Sequence, residues 1–268
     1  MLQVLARQEV KGLPEYRFLA DGKDIRYVTV PVASDCYSEK ELVNMLRPIW
    51  PVGNWHRAVL CECDECGWEL EFKSITWFGS AAAPTVDGFL RQVVDYSDLT
   101  IIIKTHRNMQ VVTHPRFPGR PLTFKLNAFP RDSGSLDRET EAYGWLQDAP
   151  DDVKDIVPTF VAHVSMNGEI MGFLLEYVVG RAAYSSSADV QACEKALQQL
   201  HSLGIEHGHI SRRSFLIRTD SYGHDLKYGR DQDLMAYFWH LDTSAKTNCE
   251  KTLQDERGRL SALYQVNR

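Results

Sequence analysis

The chain has 268 residues, a formal charge of −6, and 44% apolar against 25% charged residues. That balance belongs to a globular protein long enough for one large domain or two small ones. It excludes an all-over basic coat for nucleic acid, while leaving room for a local basic patch. No apolar run approaches the ~20 residues that a bilayer requires. Met1 to Gly12 carries Arg7, Glu9 and Lys11 and lacks a signal-peptide core, so a cytoplasmic protein without a membrane segment is expected.

Residues 1–97 read as an N-terminal α/β section. Tyr27 to Val32 has strand composition, with Pro31 near its end. Ser38 to Leu46 reads as a short helix in which Ser38 caps and Glu41 completes a capping box. Pro51 and Gly53 then break the chain. The six cysteines are Cys36, Cys61, Cys63, Cys66, Cys193 and Cys249. Cys61, Cys63 and Cys66 have the spacing of zinc ligands, with Cys36 or His56 as a fourth. The same run also reads as two strands joined by an Asp64-Glu65-Cys66-Gly67 turn, which needs no metal and is preferred because no second Cys pair is present. Pro84 to Val94 reads as a helix with Phe89, Leu90, Val93 and Val94 on one face.

Leu99 to Ile103 begins a second section with a strand. From Lys104 to Arg131 there is no acidic residue. Lys104, Arg107, Arg116, Arg120, Lys125 and Arg131, with Phe117, Phe124 and Phe129 between them, make a local basic and aromatic stretch. Such a stretch serves either as an anion or RNA site or as a charge-blunted sheet edge. Leu122 to Leu126 reads as a strand, Asp137 to Leu146 as a helix, and Thr159–Val164 with Ile170–Val178 as a hairpin. Ser187 is expected to cap a helix from Ala188 to Leu203, which Gly204 ends. A polar loop, Gly204 to Ser214, leads into the strand Phe215 to Ile217. Thr219 to Asp233 reads as an inserted hairpin or long loop, Leu234 to Leu241 as a strand, and Lys246 to Tyr264 as a closing helix.

In order, these segments resemble a protein-kinase-like or aminoglycoside-phosphotransferase-like chain. Leu122 to Leu126 is similar to the strand carrying the phosphate-binding lysine, here Lys125. The pattern E-x-x-x-Y-x-x-L from Glu139 is similar to the helix whose glutamate pairs with that lysine. Glu176 and Tyr177 fall at the hinge that bonds adenine in relatives. The run His207-Gly208-His209, four residues, Ser214 is similar to the catalytic loop H-G-D or H-R-D, four residues, N. His209 stands in place of the catalytic Asp and Ser214 in place of the metal-holding Asn. Asp242-Thr243-Ser244 is similar to the D-F-G site, with only the Asp retained. The resemblance implies an α+β, protein-kinase-like bilobal fold with a mostly antiparallel N-lobe at 98–180. A reduced helical C-lobe follows at 181–268, behind the N-terminal α/β extension at 1–97.

The departures bear on chemistry. A kinase shows a glycine-rich loop over the phosphates, whereas Lys104 to Val112 has no glycine. The catalytic base and the second metal ligand are also changed. Ordinary ATP- and magnesium-dependent phosphotransfer is therefore not expected, and no cofactor is required. Two other roles remain, a pseudokinase scaffold or regulator and an enzyme of another kind. The chain is also similar, more loosely, to fungal arginine-containing cyclodipeptide synthases of specialised metabolism. That resemblance implies arginyl-tRNA and a second amino acid as partners. The residues nominated for its chemistry are His209, Asp242, Lys125 and Ser214. Those nominated for substrate contacts are Glu139, Glu176, Glu206, His207, Arg107, Arg116, Arg120 and Arg213. Among them, Glu139, Glu206 or Asp242 would pair a guanidinium. For His207, a loop-bracing hydrogen bond is preferred to a chemical role.

Overall fold

The computed structural model describes residues 1–22, 24–31, 37–51, 55, 57–63, 67–72, 92–106, 108–127, 133–147, 149–150, 153, 155–166, 169–228 and 233–265. Over these residues the fold is α+β, with two large sheets followed by a helical part that carries short strand pairs.

The first sheet runs, in chain and spatial order, β1 Leu2–Val10, β2 Leu13–Ala20, β3 Asp24–Thr29, β4 Arg57–Cys63 and β5 Gly67–Phe72. The first two strands were not read from the sequence. Their signal was present: Leu2, Val4 and Ala6 alternate with exposed or half-buried residues. A two-residue turn at Lys11 and Gly12, with φ of 53° and 78°, joins Val10 to its partner Leu13. Two positive φ values are what a tight hairpin with right-twisted strands demands. The cysteine-bearing segment is the expected hairpin, β4 to β5. The Cys61 thiol lies 3.4 Å from Glu71 Oε2. Cys36, His56, Cys66 and the Cys63 side chain lie outside the described residues.

Helix α1, Glu39–Leu46, carries the expected capping box, in which Ser38 and Glu41 exchange side-chain to backbone bonds. It buries Leu42 and Leu46 against Phe18, Val28 and Leu60. Ser38→Ala is expected to lower unfolding stability by about 1 kcal/mol, since a freed N–H is left at the helix start. Urea denaturation of the variant beside the parent protein measures it.

The second sheet contains β6 Val93–Asp95, β7 Thr100–His106, β8 Met109–Thr113, β9 Leu122–Leu126, β10 Phe160–Met166 and β11 Glu169–Glu176. Their lateral order is β6-β10-β11-β9-β8-β7. Val93 and Val94, expected at a helix end, instead form a parallel edge strand on β10. Two β-branched residues gain more from pairing and from burying Val94 than from a helical turn. Residues 84–91 of that expected helix lie outside the described set. The strand at 93–95 also precedes the boundary drawn at 97, yet it belongs to the second sheet.

Period-two alternation gives this sheet two faces. Val112, Leu122, Phe124, Leu126 and Leu174 point to a core shared with Val94 and Tyr96, against which Leu19 of β2 packs. Thr123, Lys125, Phe173 and Leu175 point the other way, and Phe173 and Leu175 join a core with Tyr143 and Leu146 of α2, Ser133–Gln147. The lysine at position 125 is thus aimed into the protein by sheet geometry alone.

After the crossover, β12 Gly180–Ala182 leads to α3, Ser187–Ser202. Its cap is Ser186, one residue before the expected Ser187, and accepts from the Asp189 N–H. Next come β13 Ile205–Glu206, β14 Phe215–Arg218, β15 Lys227–Tyr228, β16 Asp233–Leu234, β17 Ala236–Phe238, β18 Ala245–Lys246 and α4 Glu250–Gln265. The strand expected from Leu234 to Leu241 is broken at Met235, because β16 pairs with β15 while β17 pairs with β14. The last helix begins at Glu250 rather than Lys246, since Ala245 and Lys246 pair with β13. No helix among the described residues is long and apolar enough to cross a membrane.

Candidate functional site

Strand β9 and helix α2 bring Lys125 and Glu139 together. Lys125 Nζ donates to Glu139 Oε1 at 2.5 Å and to the Trp239 carbonyl at 2.6 Å. Both side chains of the pair are 6% exposed. Glu139 Oε1 also accepts the Leu241 N–H at 3.2 Å. The pair thus ties β9, α2 and the segment after β17 into one buried knot. A buried ammonium needs partners, and here the carboxylate and the carbonyl take two of its three N–H groups. This lysine–glutamate pair is the one that the kinase resemblance implies, and Lys125 lines the recess beside it.

Asp242 sits beside the knot. Its Oδ2 accepts from the Ser135 hydroxyl at 2.9 Å, and its carbonyl accepts from Arg138 Nε at 2.8 Å. Lys125, Glu139 and Asp242 line one recess of about 80 Å³, together with Asn108, Asn127 and His240. That is room for a few waters or a small polar head, whereas cofactor pockets span roughly 300–1,000 Å³. Among the described residues no three His, Cys, Asp or Glu side chains are grouped to hold a metal ion.

The loop from Gly204 to Ser214 is braced from below. Glu256 of α4 accepts the His207 N–H at 3.0 Å through Oε2 and the Gly208 N–H at 2.7 Å through Oε1. The same Oε2 is 2.9 Å from His201 Nε2, and Arg257 Nε donates to His201 Nδ1 at 3.3 Å. The Arg257 bond assigns the imidazole proton to Nε2, so His201 donates to the carboxylate. Burial alone would raise the Glu256 carboxyl, but the bonds from His201, His207 and Gly208 hold it below its ordinary range. Gly208, at φ 84°, lies so close to Thr243 that a Cβ would overlap the Thr243 carbonyl.

His207 is buried, with its ring 4.9 Å from that of Phe238. Its carbonyl accepts from Thr243 Oγ1 at 2.7 Å. Burial pushes its imidazole below the ordinary value, against the pull of Glu256, the His240 backbone and Asp242. The ring is thus packed inside the loop it belongs to. Ser214 is buried as well. Its hydroxyl donates to the His209 carbonyl at 3.0 Å and accepts the Ser211 N–H at 3.0 Å, which closes the loop on itself. His209 is exposed and does not line the Asp242 recess.

The nominated substrate contacts are spread out. Glu176 accepts from Thr159 Oγ1 and lines, with Arg120 and Tyr177, a different recess of about 400 Å³. Glu206 lies in β13, paired with Ala245. Arg213 and Arg116 are exposed, and Arg107 lies outside the described residues. The basic and aromatic stretch is not one surface. Lys125 and Phe124 are buried within the sheet, and only Lys104, Arg116 and Arg120 among its described basic residues are exposed. Sequence reading missed Glu256, Ser135 and Asn127; Glu256 lies 48 residues from the Gly208 it braces, and no local pattern connects them.

Burial holds the imidazoles of His114, His163 and His207 below their ordinary value of 6.5. A folded-state value below the unfolded one means the unfolded chain binds more protons in that window. Stability is therefore expected to be fully present above pH 6.5 and to fall as pH drops below it. Urea midpoints measured from pH 7.5 to 5 test this, with a flat profile as the contrary result.

No family model matches the sequence. No curated protein matches it either. Among solved structures, the Rad53 kinase domain with SCD2 aligns at 14% identity and a TM-score of 0.39, covering 56% of this chain and 52% of that one. The BubR1 kinase domain aligns at 11% identity and a TM-score of 0.40, covering 55% of this chain and 46% of that one. The matched part thus spans about half the length of each kinase chain.

Proposed function

We propose that this is a kinase-like protein that has given up ATP-dependent phosphotransfer and works as a binding protein. The observation that carries this reading is the state of Ser214, which stands where a metal-holding side chain is required and whose hydroxyl is spent on the His209 carbonyl and the Ser211 N–H of its own loop. Phosphoryl transfer needs an ammonium on the phosphates, a metal held by two side chains, and a group orienting the hydroxyl. Here Ser214 closes its own loop, and His209 lies outside the recess that contains Asp242. A thermal melt with ATP and magnesium is expected to show no shift, and a coupled assay no ATP turnover. Turnover abolished by Asp242→Asn would end this reading.

A second reading is favoured by the recess at Arg120 and Tyr177, where an exposed guanidinium stands near an aromatic ring. That combination suits the end of an RNA strand, with phosphate on the arginine and a base on the ring. In this reading the chain is a tRNA-dependent synthase of arginine-containing cyclodipeptides, with arginyl-tRNA and a second amino acid as substrates. Incubation with arginyl-tRNA and an amino-acid mixture, followed by mass spectrometry, tests it. The absence of any arginine-containing diketopiperazine removes it.

A further inference from the structure

We infer that this chain pairs with a second copy of itself, edge to edge, through β7. The inference goes beyond the reading of the cleft and does not depend on it. β7 is the last strand on one side of the second sheet, and no described strand pairs with its outer edge. A strand in that position carries a row of unmatched N–H and C=O groups, which proteins blunt with charges, prolines or bulges. Here the register on β8 slips between Ile101 and Ile103 and again between Lys104 and His106, so bulges are present. They do not hide the apolar residues. Ile102 and Ile103 remain 53% and 50% exposed, on a strand that has no proline and only one lysine, Lys104.

What fits this edge is read from its charges. The chain enters it past Asp98, whose side chain is 58% exposed, and Lys104 near the far end is exposed as well. Asp98 Oδ2 has His114 Nε2 3.8 Å away, too far for a hydrogen bond, so the carboxylate is open to a cation. Leu99 and Ile101 pack on the core of their own sheet, while Ile102 and Ile103 lie exposed between the two charges. Along the chain the edge therefore reads acid, apolar, base. Its complement in an antiparallel pair reads base, apolar, acid, and a second copy turned through half a rotation presents that order. A two-fold axis near Ile101 sets the Asp98 end of each copy beside the Lys104 end of the other, twice by symmetry. Opposite charges across a strand pair stabilise it, and like charges do the reverse. Ile102 and Ile103 of both copies then lose water along the seam. A parallel pairing would set Asp98 against Asp98 and Lys104 against Lys104. A wholly acidic or wholly basic peptide would match one end of the edge and oppose the other. One strand from each side buries little area, so a weak, concentration-dependent dimer is expected.

Sedimentation velocity of the full chain over a dilution series tests this, with circular dichroism checking that each variant is folded. A monomer–dimer equilibrium is expected in the parent protein, with amide hydrogen exchange across Ile101–Lys104 slowing as concentration rises. Ile102→Lys is expected to leave a monomer. Asp98→Lys and Lys104→Asp are each expected to weaken self-association about tenfold, since two attractive pairs become two repulsive ones. Mixing those two variants is expected to give a heterodimer. Both changes in one chain restore the complement, and affinity is expected to return to within about threefold of the parent protein. A monomer at every concentration up to about 100 μM, where a weak complex assembles, overturns the inference. So does a dimer that Ile102→Lys leaves intact, which would place the contact on another face, or a folded double variant that stays monomeric. The exchange measurement needs no variant, and unchanged exchange in β7 while the parent protein dimerises has the same consequence.

Discussion

Lys125→Met is expected to lower the unfolding free energy by about 3–5 kcal/mol, the cost of leaving a buried carboxylate without its cation. The same change in an exposed ion pair would cost well under 1 kcal/mol. Lys125→Met with Glu139→Leu is expected to recover much of the loss, because neither charge then remains buried. Recovery stays incomplete by about 1–3 kcal/mol, since the Leu241 N–H and the Trp239 carbonyl each lose a partner. Urea unfolding of the two single variants and the double variant closes the cycle. A single Lys125→Met within 1 kcal/mol of the parent protein would show that the pair is not the buried knot described.

The second large effect lies at Glu256. Glu256→Ala frees two backbone N–H groups and a buried imidazole at once, and is expected to cost about 3–5 kcal/mol. Glu256→Gln keeps the shape and one acceptor, so roughly half that loss is expected. The carboxylate also has a pH signature. Its folded-state value is depressed, so its contribution is present above the unfolded value of 4.5 and is lost as pH falls below it. Stability plotted against pH is thus expected to be flatter below pH 4.5 in Glu256→Gln than in the parent protein. Hydrogen exchange at the His207 and Gly208 amides gives a local readout, with faster exchange in both variants. Unchanged protection there would place the brace elsewhere.

Lys125 and Glu256 each spend their charge on joining segments distant in sequence. One ties the second sheet to the segment before Asp242, and the other holds the His207 loop from the C-terminal helix.

Much was legible in the residues themselves. The capping box at Ser38, the cysteine hairpin, the strand at Leu122–Leu126, the helix after it, the hairpin at 160–176 and the helix at 187–202 all follow from local pattern. Each rests on periodicity or on contacts within one turn of chain, which a sequence displays directly. The first two strands were equally visible in the alternation before the Lys11-Gly12 turn. The neighbours of each polar group were not legible. Ser214 reads as a substitute metal ligand until its hydroxyl is seen on the His209 carbonyl. Lys125 has the same letters around it whether its ammonium faces a phosphate or the Trp239 carbonyl, 114 residues away. Sequence by itself determined the α+β class, the elements and the candidate residues, because those depend on near neighbours along the chain. Tertiary structure alone decided which side chains are spent and which stay open, because hydrogen bonds and burial between distant segments set that, and no local pattern encodes them.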